Sequence, residues 1–427
     1  MERKCNMVET NKKKIVNDPV HGFINISHPL HFDIIEHPYF QRLRHIRQLG
    51  LTYLVYPGAN HTRFQHALGA LHLMTSAIDV LRTKGHDITD DESKAASAAI
   101  LLHDIGHGPF SHSLEYSIVQ GISHETISRC FMYELNKQFE GKLSLAIEIF
   151  EGRYKKKFLH QLVSGQLDVD RMDYLRRDSF FTGVTEGTIG TDRIIKMLNI
   201  VNDQLVVEAK GIYSIEKFII ARRLMYWQVY LHKTVVAAEQ LLTLLLLRAR
   251  EMAISGNELW ATPSLSYFLK RTINLDDFIN THSTDQPPEA LAHFASIDDS
   301  DIMVAAKIWA SHTDPVLSKL ARMVVTRKLY KVELRNSAFK KSEVAKKLKQ
   351  LYFMYPEIKD NGRFFVFTDS VSNNAYSPFD ESIKILYNNG SLVDIADASD
   401  MLNTKVLSKN VKKFFLCYPK EMENKFN

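Results

Sequence analysis

Apolar residues in this chain recur mostly at helical spacing, with shorter strand-like runs towards both ends. Residues 15–26, IVNDPVHGFINI, set apolar pairs around Asp18-Pro19 and Gly22, which reads as a short strand, a turn and a strand. Between Phe32 and Leu49, apolar residues Ile34, Ile35, Phe40, Leu43, Ile46 and Leu49 recur at three- and four-residue steps. Helices are expected here, with Pro38 able to start one and Gly50 to end it. Phe64, Leu68, Leu71, Ile78 and Leu81 predict an amphipathic helix that carries His66 in its first turn and ends at Gly85. Thr89 and Glu92 have capping-box spacing ahead of KAASAAILLH, whose small side chains permit close packing before Gly106, Gly108 and Pro109 break the chain. His103 and Asp104 therefore sit at a helix end. Residues 215–250 predict one long, nearly uninterrupted helix, apolar on more than one side, as at the centre of a bundle or an oligomer interface. After about residue 360 the short runs RFFVF, SIKILYNNGSLVDI and KKFFLCYP point to a small α+β lobe.

These elements predict a mainly α protein: a short β-turn and helical segment over 1–50, a helical core over 51–355 and the α+β lobe over 356–427. With 427 residues and 45% hydrophobic content the chain can bury a large core. Cys5, Cys130 and Cys417 are odd in number and widely spaced, which argues against a disulfide framework or a thiolate zinc site and fits a reducing, cytoplasmic compartment. The most apolar stretch, LLTLLLL, is too short to span a bilayer, so no membrane partner is expected. A formal charge of +5 is too mild to demand a polyanion, yet agrees with local phosphate-binding pockets.

The chemistry gathers around LLHDIGHGPFSH. His103 and Asp104 can both reach one cation, and His66 upstream with Asp170 in QLDVDRMDY would complete two imidazoles and two carboxylates. Among 18 histidines a chance His-Asp pair is common, and alone it is more often a capped or core feature. The conjunction with a helix end, a glycine-rich loop, a second helix bearing His66 and a D-x-D element is what favours a metal. A thiolate-free set of this kind suits iron, manganese, magnesium or zinc without choosing among them, and such an ion suits phosphoester or phosphoanhydride hydrolysis. His107, His112 and the pair His124-Glu125 are close in sequence and suited to proton transfer, although His107 can equally just line the pocket. Asp170, Tyr174 and Asp178 step by four beside Arg171. Arg222, Tyr226 and Tyr230 repeat that step, extended by Lys233, as a cationic and aromatic stripe for a base, sugar and phosphates; a solvated face is the plainer alternative.

Three blocks together resemble the deoxynucleoside triphosphate triphosphohydrolases of the HD-domain superfamily: NDPVHGFINI through FQRLRHIRQLG, then YPGANHTRFQHALG, then LLHDIGHGPFSH with DVDRMDY. The likeness is strong over roughly residues 14–235 and closest to the branch of the vertebrate SAM-and-HD-domain enzyme and its bacterial relatives. It implies an HD-domain helical core, with metal ligands at His66, His103, Asp104 and Asp170. The implied substrate pocket holds Gln48, Leu49, Arg63, His112, Arg171, Tyr174, Asp178, Arg222 and Tyr230, to which the residue pattern adds His107 and Tyr226. Catalysis is assigned to His112, His124 and Glu125, with cleavage at the α-phosphorus to deoxynucleoside and tripolyphosphate. Arg63, Arg171, Arg222 and Lys233 would offset the triphosphate's charge.

The resemblance further implies activation by GTP or a dNTP bound between subunits of a dimer or tetramer, at Lys14, Ile15, Asn17, Glu36, Gln41, Arg44, Arg327 and Lys331. A second Mg would accompany bound nucleotide. Two rival functions stand beside this one. Other HD proteins cleave cyclic nucleotides, polyphosphates or nucleic-acid ends, and the basic run TRKLYKVELRNSAFKKSEVAKKLKQL could contact nucleic acid, though a solvated helix face is favoured.

Overall fold

Asp18 makes the first turn, its Oδ1 accepting from the backbone N–H groups of Val20 and His21 at 2.9 Å each, and Gly22 follows at φ +77°. The computed structural model, which describes residues 14–110, 112–279, 286–358, 360–373, 382–400 and 411–426, thus opens on an antiparallel hairpin of β1 (Lys14–Asp18) and β2 (Gly22–Ile26). The chain is mainly helical from there on.

Residues 32–49 are more broken than their spacing predicts. Helix α1 (Pro29–Glu36) stops at His37, whose Nδ1 accepts from Tyr39 N–H and caps a single turn starting at Pro38. Ile46 is extended, and the 46–48 stretch hydrogen-bonds to residues 61–63 through Gln48 N to His61 O and Arg63 N to Ile46 O. Pairing with a neighbouring segment overrides the helical period and lays Gln48 and Leu49 beside the start of the next helix.

That helix, α2 (Arg63–Thr83), starts with a Thr62–Gln65 capping box, and α3 (Asp90–Leu102) with the predicted Thr89–Glu92 box. α2 packs against α3 and against α5 (Val169–Thr182), while α4 (His124–Gln138) lies between them in sequence. Ala96, Ala98 and Ala99 are fully buried in α3, the close approach that small side chains allow.

The long helix predicted over 215–250 is interrupted. α6 (Ile212–Met225) passes into a π-helical turn, Tyr226–Tyr230, and α7 (Lys233–Ile254) restarts where the His232 Nδ1 accepts from Thr234 N–H, with a 56° bend between the halves. Periodicity alone does not register the break because both flanks are apolar; Leu241, Leu242, Leu245 and Leu246 run through the core. α8 (Asp299–Trp309) follows further on. Among the described residues no single helix is long and apolar enough to cross a membrane.

The remaining strands are β3 (Leu198–Val201), β4 (Gln204–Glu208), β5 (Tyr330–Arg335), β6 (Phe367–Asn373), β7 (Lys384–Leu386), β8 (Leu392–Asp394) and β9 (Val411–Pro419). They form one sheet in the order β3-β4-β7-β8, with β4 and β7 parallel, and a second in which β9 lies between β5 and β6, antiparallel to both. The strands after residue 356 therefore complete sheets begun earlier in the chain.

Candidate metal centre and surrounding pocket

Because α2 packs on both α3 and α5, three separate stretches deliver ligands to one point. His66 Nε2 lies 3.0 Å from Asp170 Oδ1, His103 Nε2 3.4 Å from the same oxygen, and the two Nε2 atoms are 3.4 Å apart. Metal bonds of about 2.1 Å meeting at right or tetrahedral angles separate ligand atoms by about 3.0–3.4 Å, so the residues fit a divalent cation. Asp104 stands alongside, its Oδ1 3.4 Å from His103 Nε2 and its Oδ2 3.8 Å from His66 Nε2 and 2.5 Å from Arg63 Nη1.

The outer ring nitrogens are spoken for. His103 Nδ1 donates to the Ile100 carbonyl at 2.6 Å and His66 Nδ1 to Asp173 Oδ2 at 2.7 Å, which leaves both Nε2 lone pairs facing inward. The electrostatics agree. Burial opposes a charge on His66, yet its hydrogen bonds to Asp170 and Asp173 outweigh this and raise the ring to about 10. Burial likewise opposes the charge on Asp170, but His103 and His66 hold it far below the usual carboxylate range. Ionised carboxylates that draw positive charge to this point so strongly favour a cation there, which would displace the proton from the His66 ring.

Around this centre, His107 Nε2 lies 3.3 Å from Asp104 Oδ1, and its ring stacks on His124 at 3.8 Å between centroids and 16° between planes. Burial and the nearby Arg63 push His107 well below its ordinary value, so it is neutral. His124 opens α4 with Glu115 Oε2 3.7 Å from its Nδ1, while Glu125 is exposed in the same turn. His112 begins a short helix, but its side chain lies outside the described residues.

On the other side, Asp178 uses both oxygens: Oδ1 accepts from His61 Nε2 and Oδ2 from the Tyr230 hydroxyl, each at 2.7 Å. Tyr174 and Tyr226 meet Tyr230 edge to face at 6.1 and 5.1 Å, and Arg171 and Arg222 act electrostatically on Tyr174. Arg171 is tied to Asp168 and to the Gly165 carbonyl, Arg222 Nη1 lies 3.5 Å from Gln166 Oε1, and the Nε atoms of both arginines are buried without a described partner. Gln48 presents a buried Oε1 without a described partner beside half-buried Leu49. Lys233 lies beyond the bend and does not extend this wall.

Of the remaining candidates, Lys14 pairs with Glu36 at 3.2 Å, Arg44 Nε donates to Gln41 Oε1 at 2.7 Å, and Ile15 and Asn17 are exposed on β1. Arg327 and Lys331 line a cavity of about 610 Å³ with Lys233, Lys328 and Lys420, where Lys331 pairs with Glu423 at 2.7 Å. His61 and Asp173 belong to the site although the sequence reading singled out neither, while Asp168, the first acid of the D-x-D element, anchors Arg171. The signal for Asp173 was its place three residues beyond Asp170 on the same helix.

Residues 63–178 match the family described as HD domain, and residues 189–262 the HD associated region. An uncharacterized protein, YwfO, from Bacillus subtilis is 31% identical, with 96% of this chain and 93% of that protein covered. The SAMHD1 deoxynucleoside triphosphate triphosphohydrolase of Gallus gallus is 36% identical over 44% of this chain and 37% of its own length. A crystal structure of a phosphohydrolase from Bacteroides thetaiotaomicron superposes with a TM-score of 0.91 at 54% identity, covering 95% of this chain and 99% of that one.

Proposed function

The chain belongs to the HD-domain phosphohydrolase family related to the SAMHD1 enzymes, and from that premise we propose that it hydrolyses deoxynucleoside triphosphates to deoxynucleoside and tripolyphosphate. The observation that carries the reading is the juxtaposition of the His66–His103–Asp170 cluster with a wall of tyrosines and arginines. His66, His103, Asp104 and Asp170 would hold the ion. A divalent cation supplies Lewis acidity towards a phosphoryl oxygen and the attacking water.

The chain's own groups do the rest. Arg63, Arg171 and Arg222 offset the charge of the triphosphate, and the planar donors of Arg171 and Arg222 suit phosphate oxygens. Tyr174, Tyr226 and Tyr230 offer ring faces and edges to the base or sugar, while Gln48 and Leu49 bound the sugar. Water adds at the α-phosphorus, the bond to the 5′-oxygen breaks, and that oxygen takes a proton. His124, stacked on neutral His107, is the donor among the described side chains, with His112 and Glu125 as its sequence-assigned companions.

Activation by GTP or a dNTP in a dimer or tetramer belongs to the same proposal, supported by the cationic cavity around Arg327 and Lys331. A cytoplasmic setting suits the free thiols of Cys130 and Cys417. The test is product analysis of metal-replete protein given each dNTP alone, in mixtures and with GTP. Tripolyphosphate with deoxynucleoside is expected; orthophosphate or pyrophosphate as the first product would overturn the reading.

A further inference from the structure

The residue that orients His66 is itself held by the N-terminal hairpin. Asp173 accepts from His66 Nδ1 on Oδ2 and from His21 Nε2 on Oδ1, both at 2.7 Å, and Arg177 adds Nε at 2.9 Å and Nη2 at 3.0 Å. Arg177 Nη1 then donates to Asp18 Oδ2 at 2.7 Å. Asp18 and His21 lie in the turn between β1 and β2, 152 or more residues away from Asp173 and Arg177 in sequence. Every member is dry: the side chains of Asp173 and Arg177 are 0% exposed, that of His21 2% and that of Asp18 4%.

A buried carboxylate needs all its acceptor sites occupied by well-placed donors. His66 supplies one donor to Asp173, and the turn of the hairpin supplies another on the opposite oxygen. Rotation of the carboxyl group would break both at once. From this we infer that His21 is a positioning residue for the metal centre: through Asp173 the docked hairpin fixes the His66 ring and thereby sets how tightly the chain holds its cation. Asp18 and Arg177 complete the same chain of contacts. Strand β1 also bears the exposed Ile15 and Asn17, so whatever settles or displaces the hairpin acts on the metal site at one remove.

The inference rests on His66 as a metal ligand and is independent of the substrate. The experiment compares His21→Met with His21→Gln, two side chains of similar length of which only glutamine donates a hydrogen bond. Co²⁺ affinity of the full-length, metal-free protein is measured by chelator competition below its unfolding temperature. His21→Met is expected to weaken Co²⁺ binding about ten- to hundredfold, and His21→Gln to restore most of it. Equal affinity in the two variants would overturn the inference. Asp170→Ala separates the premise from the inference: if it binds Co²⁺ as well as the unaltered chain, the ligand assignment itself is wrong.

Discussion

Replacing Gly69 by alanine adds one methyl group in the interior of α2, one turn from His66. Helix propensity alone favours the change by about 1 kcal/mol. The structure reverses the sign. A Cβ at Gly69 would stand 2.0 Å from Asp173 Oδ1 and 2.2 Å from Arg177 Nη2, so the pair must retreat by more than an ångström. Overpacking of this kind costs about 1–3 kcal/mol, and losing one charge-assisted hydrogen bond around Asp173 about 1.5–3 kcal/mol. Against the propensity gain, the net destabilisation is about 1.5–5 kcal/mol. Thermal unfolding of the metal-free protein reads it as a fall of several degrees, and Co²⁺ titration reads the weakened hold on His66. An unchanged or raised unfolding temperature would show that Asp173 and Arg177 do not crowd this glycine, and would remove the basis of the hairpin coupling as well.

Two further outcomes follow from buried polar groups. His31 donates from Nε2 to the Lys94 carbonyl at 3.0 Å, and burial lowers it from 6.5 to about 4. A depressed histidine contributes stability that is present above the unfolded value of 6.5 and is lost as pH falls through about 4, worth about 3 kcal/mol in full. His31→Gln should flatten the pH dependence of the unfolding temperature in that window, and parallel curves for the two proteins would contradict this. Tyr230→Phe removes a donor to buried Asp178 and leaves that carboxylate with His61 alone among its described side-chain donors. It should lower stability by about 1–3 kcal/mol while leaving KM for a dNTP little changed, since the hydroxyl faces Asp178; steady-state kinetics with a large rise in KM and no loss of stability would contradict that placement.

Features that depend on neighbours along the chain are legible in its residue pattern. The Thr89–Glu92 capping box closes over three residues, Asp18 and Gly22 make their turn locally, and His103-Asp104 at the end of an alanine-rich helix follows from the loss of helical spacing at Gly106. The four candidate ligands could be named because their flanking blocks are distinctive. The extended stretch at residues 46–48 and the pairing of β4 with β7 could not be read, because in each a distant segment competes with the local period for backbone hydrogen bonds, and the bend between α6 and α7 could not because both of its flanks are apolar. The partners around the centre are of the same kind: His61 finds Asp178 across 117 residues, and His21 finds Asp173 across 152. Sequence alone pointed to most of the core helices and to the side chains proposed to hold a metal. Only the tertiary structure decided which buried carboxylate faces which imidazole, because a charge withdrawn from water takes its partner from whatever the packing brings within reach.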